Sequence, residues 1–245
     1  MKELLTSVME NAMFVAGFLL IIVSLFVAAV LVEKVAGRKK GTAEKLFTTR
    51  KLTVIGMFSA IATVLMLFEV PMPFAPPFYK LDLSELPVLV GGFAFGPAAA
   101  VMIEFIKILL NLFVNGTNTA YVGELANFAV GCSFVLPASV VYLFWKKKKG
   151  AVAGCITGTV ILTVFGSLFN AIYLLPAFSE LYGMPLESIL AMGSAVNPMM
   201  TEGSMLSFVV CCVVPINLIK GTVVSILTML VYKPLSPIIK NSQQK

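Results

Sequence analysis

The stretch SMLSFVVCCVVPINLIKGTVVSILTMLVY, from Ser204 to Tyr232, contains one charged side chain, Lys220, in 29 residues. An apolar run of this length is long enough to cross the hydrocarbon core of a bilayer as one helix. At ~1.5 Å of rise per residue, Lys220 would lie roughly 18 Å from Tyr232 and roughly 24 Å from Ser204. That depth is costly for an ammonium group, and an ionisable residue inside a membrane span is by default a candidate for function.

The composition of the whole chain is typical of a protein that crosses the membrane several times. Of 245 residues, 59% are hydrophobic and 12% are charged, which leaves too little polar surface for a water-soluble globule. The chain has no histidine, which excludes His-based nucleophilic catalysis, haem ligation by His and His-rich metal sites. Its four cysteines lie in apolar segments without metal-ligand spacing, and we interpret them as small hydrophobic side chains.

Further apolar stretches predict additional membrane helices. The first is followed by the basic run from Lys34 to Lys40 and by no small-residue cleavage site, so it is predicted to be a retained helix and not a cleaved signal peptide. The stretch Ser84–Phe95 is short for a full crossing, at roughly 18 Å. The predicted spans are Ala12–Val32, Leu52–Val70, Ser84–Phe95, Ala98–Val114, Tyr121–Trp145, Ala151–Leu175 and Ser204–Tyr232.

The distribution of Lys and Arg predicts the orientation. Seven of them lie between Lys34 and Lys51, four at residues 146–149 and three after the last span, whereas only Lys2 and Lys80 lie on the opposite side. By the positive-inside rule the N-terminus is outside and the C-terminus is cytoplasmic. The predicted outer loops are Pro71–Asp82, Asn115–Ala120 and Pro176–Glu202.

Two pairs of polar residues, each three apart, are candidates for ligand contact. Asn217 and Lys220 would project from one face of the last helix and could bind one polar ligand; a structural ion pair or carbonyl capping is the alternative for Lys220. Glu124 and Asn127 repeat the spacing at the outer end of another span. Glu124 could instead cap its helix, whereas Asn127 lies one turn deeper, where an unpaired amide would be costly.

The first outer loop combines proline, aromatic and polar side chains. Its run Pro71-Met-Pro-Phe-Ala-Pro-Pro77 excludes helix, and its apolar character predicts a loop that folds back over the membrane domain. One interpretation is a lid over a flat ligand, with Lys80 or Asp82 touching the ligand's polar part. The other is local capping of the next helix by Asp82 or Ser84.

Two more pairs of residues have predicted contacts, one within a span and one with another helix. Glu104 and Lys107, three apart, are expected to neutralise each other within their span. Gly56 and Ala60 form a small-xxx-small face that allows close approach of another helix, either within the bundle or from a partner protein. The chain has no Gly-x-x-x-x-Gly-Lys-Ser/Thr phosphate loop, so energy for uptake against a gradient would come from other subunits or from an ion.

Four motifs in order carry a resemblance to a known family. They are Lys80-Leu-Asp-Leu-Ser-Glu-Leu-Pro87, Gly91-Gly-Phe-Ala-Phe-Gly96-Pro97, Gly123-Glu-Leu-Ala-Asn127-Phe and Asn217-Leu-Ile-Lys220-Gly221. Together with the basic inner loops and the proline-rich outer loop, they resemble the riboflavin-specific substrate-binding subunit of energy-coupling factor (ECF) transporters. The resemblance extends from about Lys51 to Tyr232.

The resemblance implies an architecture and a set of partners. The fold would be all-α and integral to the bacterial cell membrane, with a six-helix riboflavin-binding core (52–232) and a cytoplasmic tail (233–245). The chain departs from the family in the span Ala12–Val32, which adds an extra N-terminal transmembrane helix (1–36) before a basic cytoplasmic linker (37–51). The protein would not be an enzyme and would need no cofactor. Riboflavin would be its ligand, with FMN as a further candidate, and its partners would be a transmembrane coupling protein and two ATPase subunits. No nucleic acid would be involved.

The resemblance also implies residue roles. Asn217 and Lys220 would bind polar atoms of the ring or the ribityl chain, and the loop Pro71–Leu81 would be the lid, with Phe74 and Leu81 as apolar walls. Gly56 and Ala60 would lie on the helix that docks on the coupling protein. The expected ligand-binding residues are Asn217, Lys220, Asn127, Glu124, Lys80, Leu81, Asp82 and Phe74.

Other functions remain open from the residues alone. Within the same family, the ligand could be thiamine, biotin or folate. An ion-coupled secondary transporter could use Lys220 and Glu124 as a relay. A membrane enzyme is the least supported alternative, because no paired aspartates, His cluster or Ser/Lys dyad is apparent.

Overall fold

The computed structural model describes residues 12–40, 48–117 and 119–241, and helices dominate these residues. Parts of the predicted N-terminal segment, linker and tail, namely residues 1–11, 41–47 and 242–245, lie outside this description, as does Asn118 of the second outer loop. The elements in chain order are α1 (Ala12–Lys40), α2 (Thr49–Met66), β1 (Val70–Pro71), β2 (Lys80–Leu81), α3 (Glu85–Phe95), α4 (Pro97–Asn115), α5 (Val122–Phe144), α6 (Lys148–Phe169), a first π-helical turn (Asn170–Leu174), α7 (Leu175–Tyr182), α8 (Leu186–Val196), α9 (Met205–Phe208), a second π-helical turn (Val209–Val213) and α10 (Val214–Asn241).

Within the described residues, six helical segments are long and apolar enough to cross a membrane, by length and composition. Each π-helical turn lies inside a longer segment, so Lys148–Tyr182 and Met205–Val231 each count once. Helix α3 is the short apolar helix that the sequence predicts, at 11 residues. One of the six long segments is the extra N-terminal helix α1, so the core consists of five long segments and the short helix α3. The predicted all-α membrane fold, with a six-helix core and one extra N-terminal helix, is confirmed.

Helix α3 lies at the centre of the bundle. It contacts α2, α4, α5 and α10, and residues 87–94 are all buried, which explains why its sequence is apolar on every face. Gly96 follows it at φ 93°, a backbone conformation that favours glycine. Pro97 then occupies the first turn of α4, so the chain reverses sharply between the two helices.

The first outer loop is a short β-hairpin and contains no helix, as its prolines predict. Strands β1 and β2 pair antiparallel, with Val70 opposite Leu81 and Pro71 opposite Lys80. The segment between them, Met72–Tyr79, packs against an apolar cluster at one end of the bundle, the end predicted to face outward. The hairpin therefore folds back over the bundle, and we call the segment Val70–Leu81 the outer hairpin.

Two apolar clusters are separated by a layer of polar side chains. On α10, Ile216 belongs to the cluster beneath the outer hairpin, Val224 belongs to the other cluster, and Lys220 lies between them. On α6 and the turn after it, Leu162 belongs to the cluster that contains Val224, and Leu174 belongs to the cluster beneath the outer hairpin. Asn170 lies between them. We call the two clusters the inner and outer clusters and the residues between them the polar layer.

The extra helix α1 is packed into the fold. It contacts α4 and α5, and Ile22, Ala29 and Ala36 are its buried side chains at seven-residue intervals. The Glu33 carboxylate accepts a hydrogen bond of 2.8 Å from the Ala98 backbone N–H at the start of α4, where a negative charge suits the helix dipole.

Candidate functional site

Asn217 presents an unpaired amide to the polar layer. The residue is 6% exposed, and its Nδ2 has no hydrogen-bond partner among the described residues. A Cβ built on Gly166 of α6 would lie 2.7 Å from this nitrogen, so glycine is the residue that lets the amide pack here. A buried donor without an acceptor is costly, and this cost would be relieved by a ligand that offers a carbonyl or ring nitrogen.

Lys220 reaches from α10 to the residues between the outer hairpin and α3. Its Nζ lies 3.1 Å from Asp82 Oδ2 and 3.0 Å from Glu85 Oε1. The structural ion pair considered from the sequence is therefore present. An ammonium group has three donors, and these two carboxylates leave the third for a ligand.

Asp82 is fixed by contacts of its own. Its Oδ1 accepts a hydrogen bond of 2.7 Å from the Ser84 backbone N–H, and its Oδ2 faces Lys220. Burial alone would raise the pKa of Asp82, but Lys220, Lys107 and the Ser84 hydrogen bonds together hold that pKa below its ordinary value. The carboxylate is therefore ionised at neutral pH and anchors the end of the outer hairpin to α10.

The pair predicted between Glu104 and Lys107 is present, with 2.6 Å between Oε1 and Nζ. It belongs to a larger network, because Lys107 also lies 3.4 Å from Glu85 Oε1 and 3.0 Å from Ser84 Oγ. Five ionisable side chains from four segments of the chain are thus joined within the polar layer: Asp82, Glu85, Glu104, Lys107 and Lys220.

Tyr79 and Asn170 connect the outer hairpin to the first π-helical turn. The Tyr79 hydroxyl donates a hydrogen bond of 2.7 Å to Asn170 Oδ1, and Asn170 Nδ2 donates to the Gly166 carbonyl at 2.7 Å. Burial raises the pKa of Tyr79 well above its ordinary value, so the phenol remains a donor. Single π-turns inside α-helices are frequent at functional sites, and Asn170 is the first residue of this one.

Asn197 holds the outer hairpin against the second π-helical turn. Its Nδ2 donates to the Phe74 carbonyl at 3.3 Å and to the Cys211 carbonyl at 3.1 Å, and its Oδ1 accepts from the Met199 N–H at 3.1 Å. The Cys212 thiol also donates to the Phe74 carbonyl, at 3.3 Å. The hairpin is thus fixed by two side chains from one end of the bundle.

The outer cluster above the polar layer is rich in aromatic rings. They come from the outer hairpin, from the end of α6 and its extension, and from α9. The ring centroids of Tyr79 and Phe208 lie 6.0 Å apart. The aromatic members are Phe74, Phe78, Tyr79, Phe169, Tyr173, Phe178 and Phe208.

Glu124 and Asn127 lie in the first two turns of α5. Glu124 Oε2 accepts a hydrogen bond of 3.1 Å from the Thr119 hydroxyl, just before the helix begins. Asn127 is half-buried, next to Ala126, which packs in the outer cluster with Ile216. Ligand contact by either residue stays a prediction.

Three predicted ligand-binding residues of the outer hairpin differ in their burial and contacts. Phe74 packs against the outer cluster, and Leu81 is half-buried in β2. Lys80 forms an exposed ion pair of 2.6 Å with Glu69, and its side chain is 47% exposed. Lys80 is thus engaged at the surface, and its predicted contact with a ligand has no support from these contacts.

Gly56 and Ala60 face away from the bundle. Both are exposed, and a Cβ built on Gly56 would meet nothing within 4 Å. Of the two interpretations of this small-residue face, packing within the bundle is therefore not observed. Helix α1 packs on α4 and α5 and leaves this face uncovered.

Sequence reasoning did not single out Glu85, Tyr79 or Asn197. Glu85 is the one acidic residue in α3, and a carboxylate opening a short apolar helix was a usable signal for a buried charge. Tyr79 and its partner Asn170 are separated by 91 positions in the sequence, and Asn197 and its partner Phe74 by 123. No local sequence pattern predicts such pairings. Among the described residues, no group of three or more Cys, Asp or Glu side chains could hold a metal ion.

An all-α membrane bundle with a buried polar layer under an aromatic outer cluster defines a membrane-embedded binding protein. The chain belongs to the family described as ECF transporter, substrate-specific component, which matches residues 50–232. Its members are transporter components and not enzymes. Helix α1 precedes the matched region.

The chain is similar to named relatives over nearly their full length. The riboflavin transporter RibU of Staphylococcus aureus is 36% identical over 205 residues, which cover 83% of this chain and 98% of the relative. The riboflavin transporter FmnP of Bacillus subtilis is 30% identical over 195 residues, which cover 79% and 96%. A solved structure described as the S component of a bacterial ECF transporter has a TM-score of 0.60 and 34% identity, with coverage of 78% of this chain and 98% of the solved chain.

Proposed function

We propose that this chain binds riboflavin from the outer side of the membrane and delivers it inward as the substrate-specific subunit of an ECF transporter. The observation that carries the proposal is the unpaired Asn217 amide beside Lys220, beneath an aromatic cluster. A flat aromatic ring system with carbonyl and ring-nitrogen acceptors matches both parts of this site. The names of the relatives as riboflavin transporters support the same ligand.

In this proposal each region has a separate task. Residues 52–232 form the binding core, and the outer hairpin covers the ligand, with Phe74 and Leu81 as apolar walls. A coupling protein and two ATPase subunits supply the energy, because the chain has no phosphate loop. The excess of Lys and Arg on one side supports an orientation with the N-terminus outside and the C-terminus in the cytoplasm.

A competition experiment tests the choice of ligand. The purified chain, loaded with riboflavin, is challenged with FMN, thiamine, biotin and folate, and the riboflavin that stays bound is measured by chromatography, which separates it from FMN. We expect only flavins to displace it. Displacement by another vitamin, or purified protein that never retains a flavin, would reject riboflavin. Uptake by the chain alone in liposomes, driven by a pH or sodium gradient, would favour a secondary transporter.

Replacing Asn197 by alanine is expected to speed riboflavin release by ~5-fold. The Asn197 amide donates hydrogen bonds to the Phe74 and Cys211 carbonyls. Only the bond to Phe74 joins Asn197 to the hairpin, and one such bond contributes roughly 1 kcal/mol. Stopped-flow flavin fluorescence measures the rate. The matched control is Ser194→Ala in α8, the helix that Asn197 follows, because the half-buried Ser194 bonds only to the Ala191 carbonyl of its own helix. Equal release rates in both variants would show that Asn197 does not hold the hairpin over the ligand.

Gly56→Leu is expected to block transport while preserving binding. The position is exposed and a Cβ there meets nothing within 4 Å, so a leucine fits the isolated protein and favours helix. A bulky residue in a small-residue helix contact prevents close approach. We expect uptake by the complete transporter to fall ~10-fold, with riboflavin affinity unchanged.

Gly17→Leu is the control for this experiment, because Gly17 of α1 also has nothing within 4 Å of a built Cβ. This variant is expected to transport normally. Full transport by Gly56→Leu would show that the coupling protein docks elsewhere.

A further inference from the structure

Lys107 is a fully buried lysine that the proposed ligand contacts do not use. It is 0% exposed on α4, and its Nζ donates to Glu104 Oε1 at 2.6 Å and to Ser84 Oγ at 3.0 Å. Pairing with Glu104 alone would suffice to neutralise one buried charge. Its contact with Glu85 Oε1 at 3.4 Å connects it to the residues that hold Lys220.

Glu85 is the link between the two lysines. Its Oε1 lies 3.4 Å from Lys107 Nζ and 3.0 Å from Lys220 Nζ, while its Oε2 has no hydrogen-bond partner in the described part of the chain. The network thus runs in the order Asp82, Lys220, Glu85, Lys107, Glu104. The network has three carboxylates and two ammonium groups, so it contains no excess of positive charge. If either lysine is lost, Glu85 can form an ion pair only with the other one.

We propose that Lys107 is a positioning residue for ligand binding, acting through Glu85. As the second counter-ion of Glu85, it allows Lys220 to direct a donor toward the ligand without leaving a buried carboxylate unpaired. Without Lys107, Glu85 would hold Lys220 more tightly and the ligand would compete with a carboxylate for the same ammonium group. The inference rests on the proposed function, since it requires Lys220 to contact the ligand.

The test separates positioning from a purely structural role. Lys107→Met alone would strand Glu104, so the variant to use is Lys107→Met with Glu104→Gln, which removes the pair together and keeps the net charge of the network. We expect this double variant to melt at a temperature close to that of the wild type but to bind riboflavin ~10-fold more weakly. Adding Glu85→Gln should restore most of the affinity, because Lys220 is then released from that carboxylate.

The outcomes are distinguishable from failure of the proposed function. If the wild type does not bind riboflavin, the proposed function fails. If the wild type binds and the folded double variant binds equally well, Lys107 is structural and the inference is overturned. If the double variant does not fold, Glu85→Gln in the wild type decides: affinity should rise ~3-fold, and an unchanged or lower affinity would reject the inference.

Discussion

Replacing Asn217 by leucine should leave the empty protein as stable as the wild type, or more stable, and lower its affinity for riboflavin ~10-fold or more. The Asn217 amide is buried with Nδ2 unpaired, so the unliganded protein loses no hydrogen bond at that atom and loses a desolvation cost. The ligand loses its donor, and a polar atom of riboflavin is left without a partner in an apolar site. Thermal unfolding with and without riboflavin measures both effects.

Asn115→Leu is the matched control for this substitution. Asn115 is exposed at the end of α4 and bonds to the neighbouring Asn111, so neither stability nor affinity should change appreciably. If Asn217→Leu unfolds the empty protein, its amide holds the bundle together. If it binds riboflavin normally, the amide does not touch the ligand, and the site must be sought elsewhere in the polar layer.

Lys220→Met should abolish high-affinity binding and also lower stability. The substitution removes a donor for the ligand and strips Asp82 and Glu85 of an ion pair each. Removing one partner of a buried charge pair costs about 3–5 kcal/mol. The two carboxylate partners of Lys220, which the sequence alone does not reveal, are the reason for the expected loss of stability.

Riboflavin affinity and the melting temperature are both needed to interpret Lys220→Met. Adding Asp82→Asn and Glu85→Gln removes the stranded charges and should recover stability without recovering affinity. Lys148→Met, at an exposed position, is expected to change neither quantity. Recovery of full affinity in the charge-free variant would mean that Lys220 serves the fold and not the ligand.

The sequence predicts much of the fold because a helix that crosses a bilayer needs a continuous apolar stretch, which is visible in the local composition. Apolar runs predict the spans, the prolines from Pro71 to Pro77 predict a non-helical loop, and the spacing of Glu104 and Lys107 predicts their ion pair. Each of these features depends on neighbours within a few residues.

The site is harder to predict because its contacts join distant parts of the chain. Lys220 and Asp82 are 138 positions apart, and the spacing of Asn217 and Lys220 shows that they share a helix face without showing what lies opposite. The two π-helical turns, which contain Asn170 and Cys211, have no sequence signature comparable to a cap or a proline. Their positions result from tertiary packing.

Binding of riboflavin by this chain alone is the central claim, and a fluorescence titration tests it most directly. The purified protein, in lipid nanodiscs without ATPase subunits, is added to riboflavin while flavin emission is followed. Saturable quenching with one riboflavin per chain is the predicted result, since the aromatic outer cluster and the polar layer are both contained in this chain. Emission that does not change up to excess protein, in a preparation shown to be folded, would contradict it.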